Sequence, residues 1–542
     1  MPKRLVTGLI LALLAFTSCR EEPEVILSGN CELLSFGLES ARNGLLSPIE
    51  FDFDRENRTL KAMYLTWIDS EDPEMMIPEF RITGKEARVD GKPVISGKTP
   101  ISFAEPFTLT VYAENGRTED YHIDLNCPQI NTELPVLRLQ PSAPLTSKTD
   151  YVETVLTLYS PDTDQGWWEP GDGTVGVRGR GNSTWLLPKK PYRIKFPEKF
   201  SPVGLDHARE KSWVILAHDM DKSLLRNHLG FTISKILFSP AENRHHEKAI
   251  LFTPCSQFVN VYMGDKYHGI YQMSDQMNKA DGRIDVEKLT EKDGADPERI
   301  TGGHILETDV HQASAPVRFR TSLKGIQINH KYPDEEDFAQ AQYEYIEQFV
   351  DKAESVLYGG IFKDPVDGWR KYFDEKTLVD FIIAKELAGD MDGYTSTYLY
   401  KRRGVDKLFF GPVWDVDKGW DNERRGAADF KDHLMIHSGF VMPGGDKHHW
   451  FYRFWEDENL RKAVNERWVR KRQELLDAIE VELTARPAGM VKSIEANFTV
   501  WPFYYQASTE AKMPASTYPD EINRIRRLTA DRAAVLDSEF AK

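Results

Sequence analysis

Cysteine is scarce in this sequence: four in 542 residues, at positions 19, 31, 127 and 255, with no two at CxxC spacing. That argues against a structural zinc site built on paired thiols. A surplus of basic charge is also missing. The 69 lysines and arginines are outnumbered by 85 aspartates and glutamates, a formal net charge of −16. A general nucleic-acid binder needs a basic surface to replace the counterions on phosphates, so nucleic acid is not an expected partner. A local basic pocket is still compatible with this balance. No internal repeat or low-complexity tract occurs, and past residue 16 no apolar run is long enough to span a bilayer. What is present is length, with 40% hydrophobic and 11% aromatic residues, enough for two or three domains.

Lys3 and Arg4 precede an apolar run from Leu5 to Phe16 of signal-peptide length, and the small residues Thr17 and Ser18 lead into Cys19. Residues 1–18 therefore read as a lipoprotein signal, cleaved before Cys19, whose thiol and new amino group take acyl chains. Each buried methylene contributes roughly 0.8 kcal/mol, so a multiply acylated Cys19 is a durable membrane anchor. Residues 19–24, with Arg20, Glu21, Glu22 and Glu24, form a polar tether. The expected location is extracytoplasmic, on the outer membrane or the cell surface.

Residues 25–130 alternate at period two in Phe51–Asp54 and Phe107–Tyr112, which places one face in a core and the other in water. Asp90-Gly91 and Asn115-Gly116 mark turns, the latter a hairpin before Tyr121-His122-Ile123. An all-β sandwich of immunoglobulin-like type is expected, with a final hairpin that resembles the small β modules at the front of bacterial surface lipoproteins. Cys31 and Cys127 bracket it, where an oxidising compartment would permit a disulfide, and Cys255 is left as a small buried hydrophobe. Residues 131–147 carry three prolines and read as a linker. From 148 to 542 strand-like runs (Val175–Val177, Tyr192–Phe196, Ser212–Leu216, Phe258–Tyr262) give way to helical periodicity (Glu336–Val356, Leu378–Ala388, Arg461–Leu483). A two-lobed α+β domain fits that order.

Four constellations can carry chemistry. The first is Arg178-Gly179-Arg180-Gly181-Asn182-Ser183, followed by Lys189-Lys190-Pro191-Tyr192-Arg193-Ile194-Lys195. Its glycines would let backbone amides approach a phosphate, and Lys195 would pair with phosphate oxygens, with Lys190 and Arg193 as competitors. A plain hairpin turn is the blander account. The second is Asp221-Lys222-Ser223-Leu224-Leu225-Arg226-Asn227, a helix start in which Arg226 would orient an anion or, more often, make a structural ion pair. The third, Gly302 to Asp309, delivers Glu307 and Asp309 to one face of a strand. The fourth joins Glu386–Asp392, at a helix end, to Phe409–Asp417 beyond an intervening strand and hairpin. Phosphoryl transfer needs one carboxylate to receive the proton of the attacking hydroxyl and another to hold a divalent cation. Asp392 and Asp415 stand in that order, although pairing of Asp415 and Asp417 with Arg402, Arg403 or Lys418 would also account for them.

Taken together these blocks, with Val261-Tyr262 through Tyr267–Tyr271 and Lys331-Tyr332-Pro333-Asp334, resemble the spore coat protein H (CotH) kinase family over about 134–540. The resemblance implies a reduced, atypical protein-kinase-like fold that phosphorylates secreted or coat proteins with ATP and Mg²⁺ or Mn²⁺. It implies Asp392 as the catalytic aspartate, Asp415 as a metal ligand, and Gly179, Gly181, Asn182, Ser183, Lys195 and Arg226 as the nucleotide-binding set. Many members have Asn at the second metal position, where this chain has Thr397, and Glu where it has Asp275. Two other readings stand beside this one. One is a catalytically inactive surface adhesin on the same scaffold. The other is a glycan-associated lipoprotein, suggested by Trp167-Trp168 and the front β module.

If Cys19 is the acylated anchor, the Cys19→Ala protein should leave the membrane fraction. Retention of that variant through a carbonate wash would refute the assignment.

Overall fold

The computed structural model describes residues 26–43, 48–63, 75–126, 133–163, 165–264, 266–309, 317–333, 339–390, 392–424, 429–438 and 449–542. The signal, Cys19, the tether and Cys127 lie outside the described residues. The chain divides into two units, Met1–Gln129 and Ile130–Lys542.

In the first unit the alternation of Phe107–Tyr112 becomes a strand paired antiparallel with Thr118–Asn126 around the Asn115-Gly116 turn, Phe107 opposite Ile123. These two strands belong to a six-stranded sheet in which Thr118–Asn126 also pairs parallel with Thr59–Met63. A three-stranded sheet, with Leu33–Leu38 at its centre, shares its core: Leu33, Phe36 and Phe80 meet Leu60, Leu109, Val111 and Ile123. Cys31 is a buried free thiol, and Cys127, with which a disulfide was expected, lies outside the described residues. The exposed large apolar side chains here are Ile26, Leu27, Leu34, Met75 and Ile95, with no exposed aromatic among the described residues to form a sugar platform.

The second unit opens with a closed barrel of seven strands. Their spatial order is Val136–Pro141, Val152–Tyr159, Val175–Gly179, Tyr192–Phe200, Glu210–Leu216, Lys266–Asp275 and Ser256–Met263. The stretch expected as a linker supplies the closing strand: Val136–Pro141 pairs parallel with Ser256–Met263, Val136 opposite Asn260. Its prolines fall at and beyond the strand ends, where no ladder hydrogen bond is lost. Tyr192, Ile194, Phe196, Val177 and Trp213 fill the barrel core. Trp168 is buried there against Phe196 and Phe200, and Trp167 lies against Tyr159, so both tryptophans pack this unit. A five-stranded antiparallel sheet follows, in the order Arg318–Arg320, Gln327–Tyr332, His304–Asp309, Ser396–Lys401, Leu408–Phe410. Around it pack helices Arg226–Leu237, Gln340–Tyr358, Glu375–Ala388, Glu458–Ala488, Val491–Val500 and Tyr518–Phe540. No helix of the described residues is long and apolar enough to cross a membrane.

Arg226 ties the barrel's exit loop to the C-terminal helix. Its guanidinium, wholly buried, donates to Asp221 (2.6 Å), Glu521 (2.8 Å) and the carbonyl of Gly419 (3.0 Å). Replacing it by an apolar residue leaves the buried Asp221 carboxylate without its arginine and Glu521 with Arg524 (3.1 Å) alone, a loss of about 3–5 kcal/mol. Arg226→Met should therefore lower the unfolding free energy read from a urea melt by that much; a value unchanged from the parent would contradict this account.

Candidate active site

The helix Glu375–Ala388 begins where Asp374 accepts the amide of Thr377 (2.8 Å), an N-cap. It ends at Gly389, which is left-handed at φ +60°, with the Phe430 ring standing where a Cβ would be. The chain then turns into Asp390 and Asp392. Lys385, buried on the last turn, donates to Asp390 Oδ2 (2.7 Å) and to the carbonyl of Trp414 (2.8 Å). One ammonium thus joins the Asp390 loop to the strand end that carries Asp415.

Asp415 lies exposed on that second loop with φ +58°, a conformation costly for any residue other than glycine. The strain is held by its neighbours. Asn227 Oδ1 accepts the amide of Val416 (2.7 Å), Val416 occupies the space left by the absent side chain of Gly230, and Trp414 stacks on Phe231. The helix after the second constellation therefore positions the fourth.

The electrostatics of the loop show how closely its acids are gathered. Burial lifts the Asp390 carboxyl above the usual range, and the charges of Asp392 and Asp415 add to this against the pull of Lys385. Asp417 is held well above it, first by burial and then by the Asp415 carboxylate, despite Lys418. Lys418 pairs with Asp392 Oδ2 and with Glu510 (3.2 Å). Burial pulls its ammonium down, but Asp392, Asp417 and Glu510 more than offset this and raise it. Asp392 Oδ1 is buried with no hydrogen-bond partner.

Arg180, between the two glycines, is the barrel's contribution. Burial depresses its guanidinium, opposed by Asp415, Tyr398 and Asp417, and the group lies 5.9 Å from the Trp414 ring centre. On the sheet, Tyr398 stands opposite Glu307 in the pairing register, and Glu307 pairs with Lys331 (3.2 Å), its carboxyl raised by burial.

Several expected residues lie elsewhere. Lys195 is exposed on the barrel's outer face, 5.6 Å from the Tyr151 ring centre, and takes no part in the cleft. Its competitors are engaged too: Lys190 with the carbonyls of Trp185 and Leu187, Arg193 with Ser212. The glycines admit side chains where a phosphate was expected. The Trp185 ring fills the space over Gly179, whose amide is bonded to Ser147, and Thr184 closes over Gly181 at φ +85°. Asn182 and Ser183 are exposed in that turn. Arg226 has its donors taken by the buried network. Thr397 donates to the Gly393 carbonyl (3.1 Å), and alternation puts it on the sheet face opposite Tyr398. Arg402 pairs with Glu287 rather than with the acid loop. Arg180 and Lys385 join the acids although neither was an expected site residue, and Lys418 pairs with Asp392 rather than with Asp415 or Asp417. The one available signal was Arg180's place between two glycines.

A separate cluster sits on the barrel. His207, Cys255 and Asp275 bring possible ligand atoms within 4.8 Å of one another, the one such group of three among the described residues. Both Asp275 oxygens are already engaged, by Arg283 Nε (2.7 Å), His207 Nε2 (2.7 Å) and the Cys255 amide (3.0 Å). Cys255 is half-buried beside this ring, not a plain core hydrophobe.

An arginine set among crowded carboxylates, where residues of a β-barrel and of an antiparallel sheet meet, gives this α+β unit a strongly charged site. The family model described as CotH kinase protein matches residues 177–536, and the chain belongs to that family. No curated protein matches it. Among solved structures it is similar to a DUF4623 family protein from Bacteroides eggerthii, at 11% identity and a TM-score of 0.14. That likeness covers 31% of this chain and 47% of the other, about half its length, and carries no argument about fold.

The His207 ring is depressed by burial but lifted by the Asp275 carboxylate and the Cys255 thiol, to about 9 from 6.5. A folded value above the unfolded one gives stability that is full below pH 6.5 and lost as pH rises through about 9. Melting temperature should fall across that window, and His207→Gln should flatten the slope. A parent curve level between those values would count against the pairing.

Proposed function

We propose that the chain is an extracytoplasmic kinase, held to a membrane through Cys19, that transfers phosphate from ATP to hydroxyls of secreted or surface proteins. The observation that carries this is the crowding of Asp390, Asp392, Asp415 and Asp417 beside the half-buried Arg180, within a chain that belongs to the CotH kinase protein family. Carboxylates that raise one another's proton affinity are short of positive charge, and hard oxygen donors suit Mg²⁺ or Mn²⁺. The unpartnered Asp392 Oδ1 and the protonation-prone Asp417 both fit a cation there. Asp415 and Asp417 would hold it, and once bound it would neutralise phosphate oxygens and orient the transferred group. Arg180 takes the role first given to Lys195, offering a planar donor to the phosphates. Asp392 receives the proton of the acceptor hydroxyl. Lys418 holds its other oxygen and so fixes the direction in which Asp392 faces.

The inactive-adhesin reading draws on one observation, that Lys418 already pairs with one oxygen of Asp392. Purified protein with labelled ATP, Mg²⁺ or Mn²⁺ and candidate acceptors separates the two. Asp415→Ala should abolish metal-dependent nucleotide binding. Asp392→Ala should leave binding nearly intact and cut turnover by about 10²–10⁴, the range for losing a positioned general base. Melting curves of both variants should match the parent. A parent protein that binds no nucleotide at millimolar cation would overturn the kinase reading and leave the scaffold.

A further inference from the structure

Cys255 stands at one end of two paired barrel strands, directly before Ser256–Met263 and beside the last residues of Lys266–Asp275. Its backbone is clamped there: the carbonyl accepts from the Ser274 hydroxyl (3.0 Å), and the amide donates to Asp275 Oδ2 (3.0 Å). The side chain is a free, half-buried thiol. His207, from the loop before Glu210–Leu216, brings its Nε2 to 2.7 Å from Asp275 Oδ2 and keeps 25% of its side chain exposed. Cys255 Sγ lies within 4.8 Å of a ring nitrogen of His207 and of a carboxylate oxygen of Asp275. Asp275 is wholly buried, and its other oxygen accepts from Arg283 Nε (2.7 Å).

Each member of this row holds the next in one orientation. Arg283 is fixed by the Ser212 carbonyl (2.9 Å), by Asn278 Oδ1 (3.0 Å) and by the Trp213 ring 4.5 Å away, and His207 meets the same ring edge-on. With the thiol ionised, Arg283, Asp275, His207 and Cys255 alternate in sign, two cations and two anions in a neutral set. Burial lowers the His207 ring, yet Asp275 and Cys255 outweigh this and hold it up to about 9, so the imidazole carries charge at neutral pH. A divalent cation in the same place would crowd a guanidinium and would have to draw Asp275 away from His207 or the Cys255 amide, and the charges would no longer cancel. One donor is left over. Arg283 Nη2, buried and without a partner, shares with Nε the edge that faces Asp275.

We infer that Cys255 is a reactive thiol, a modification site for small soluble disulfides, with the Asp275-bound His207 as the cation that favours its thiolate. The thiolate is the attacking species in disulfide exchange, and a positively charged neighbour favours it. Cys255 Sγ attacks one sulfur of the small disulfide. The S–S bond of the reagent breaks as the new one forms, and the proton lost by Cys255 ends on the departing thiol. One disulfide is consumed and one thiol released, with no other oxidant. Asp275, pinned by Arg283, touches neither reacting sulfur and acts as a positioning residue for the ring. The assignment is independent of whether the cleft transfers phosphate.

Incubation of the full chain with oxidised glutathione at neutral pH, followed by peptide mass spectrometry over time, tests it. Native Cys255 should form the mixed disulfide faster than the same residue in the urea-unfolded chain, although the fold half-covers it. His207→Gln keeps a hydrogen-bonding side chain but removes the charge, and should slow Cys255 by about tenfold or more. A native rate equal to or below the unfolded one, or a His207→Gln chain that reacts at the parent rate, would overturn the assignment. So would a thiol that reacts only after a metal chelator is added, which would make the cluster a cation site. If His207→Gln fails to fold, the comparison of native with unfolded parent decides alone.

Discussion

Four carboxylates that repel one another are the constraint around which the second unit is arranged. Asp390, Asp392, Asp415 and Asp417 come from two loops some 25 positions apart, and nothing in their own chemistry would bring them together. They are gathered by cations placed underneath and beside them. Lys385 fastens one loop to the other from below, Lys418 covers Asp392, and Arg180 reaches in from the barrel. Even so, Asp390 and Asp417 keep an elevated affinity for protons. A site left short of positive charge in this way is poised to accept more of it.

Holding such a loop requires a stiff frame, and the left-handed residues mark where the stiffness is applied. His218, Leu224, Asp415, Trp420 and Asp421 all have positive φ without being glycine. They flank the two segments that meet in the cleft, the barrel exit and the loop past Asp415. Two are locked from outside: Asp415 through Val416, held by Asn227, and Trp420 by the Ala388 carbonyl and by Thr529. The fold places backbone that would relax elsewhere under the control of helices, and the geometry of the acids follows from it.

Much of the frame was legible in the residues. Period-two alternation marked the strands around Val175, Ile194, Val214 and Val259, and the 3.6 period marked helices Gln340–Tyr358 and Glu458–Ala488, which each keep an exposed face. Glu375–Ala388 is buried on every side from Thr377 on, and Tyr518–Phe540 was not read as a helix. The sites were harder. Lys195 shares its face with Arg193, opposite Tyr192, Ile194 and Phe196. In a closed barrel the apolar face turns inward, so the lysine face must meet solvent. Whether the sheet closed was not written in that strand. It depended on Val136–Pro141, whose flanking prolines looked like a linker. The glycines of the first constellation were noticed for their amides, and Arg180 between them was passed over. Arg226 stood in a recognisable block, but its partner Glu521 is 295 residues away and no local pattern connects them.

That distance has a consequence for how the chain reaches its native state. The first block of the barrel's exit loop cannot bury Arg226 until Glu521 arrives, and Lys189 waits likewise for Asn497, 308 residues on. The barrel strands pair mostly with near neighbours and can form early, but the loop that carries the cleft's supports stays uncommitted until the last helix is made. The buried network around Arg226 is therefore complete only when the helix Tyr518–Phe540 is docked against it.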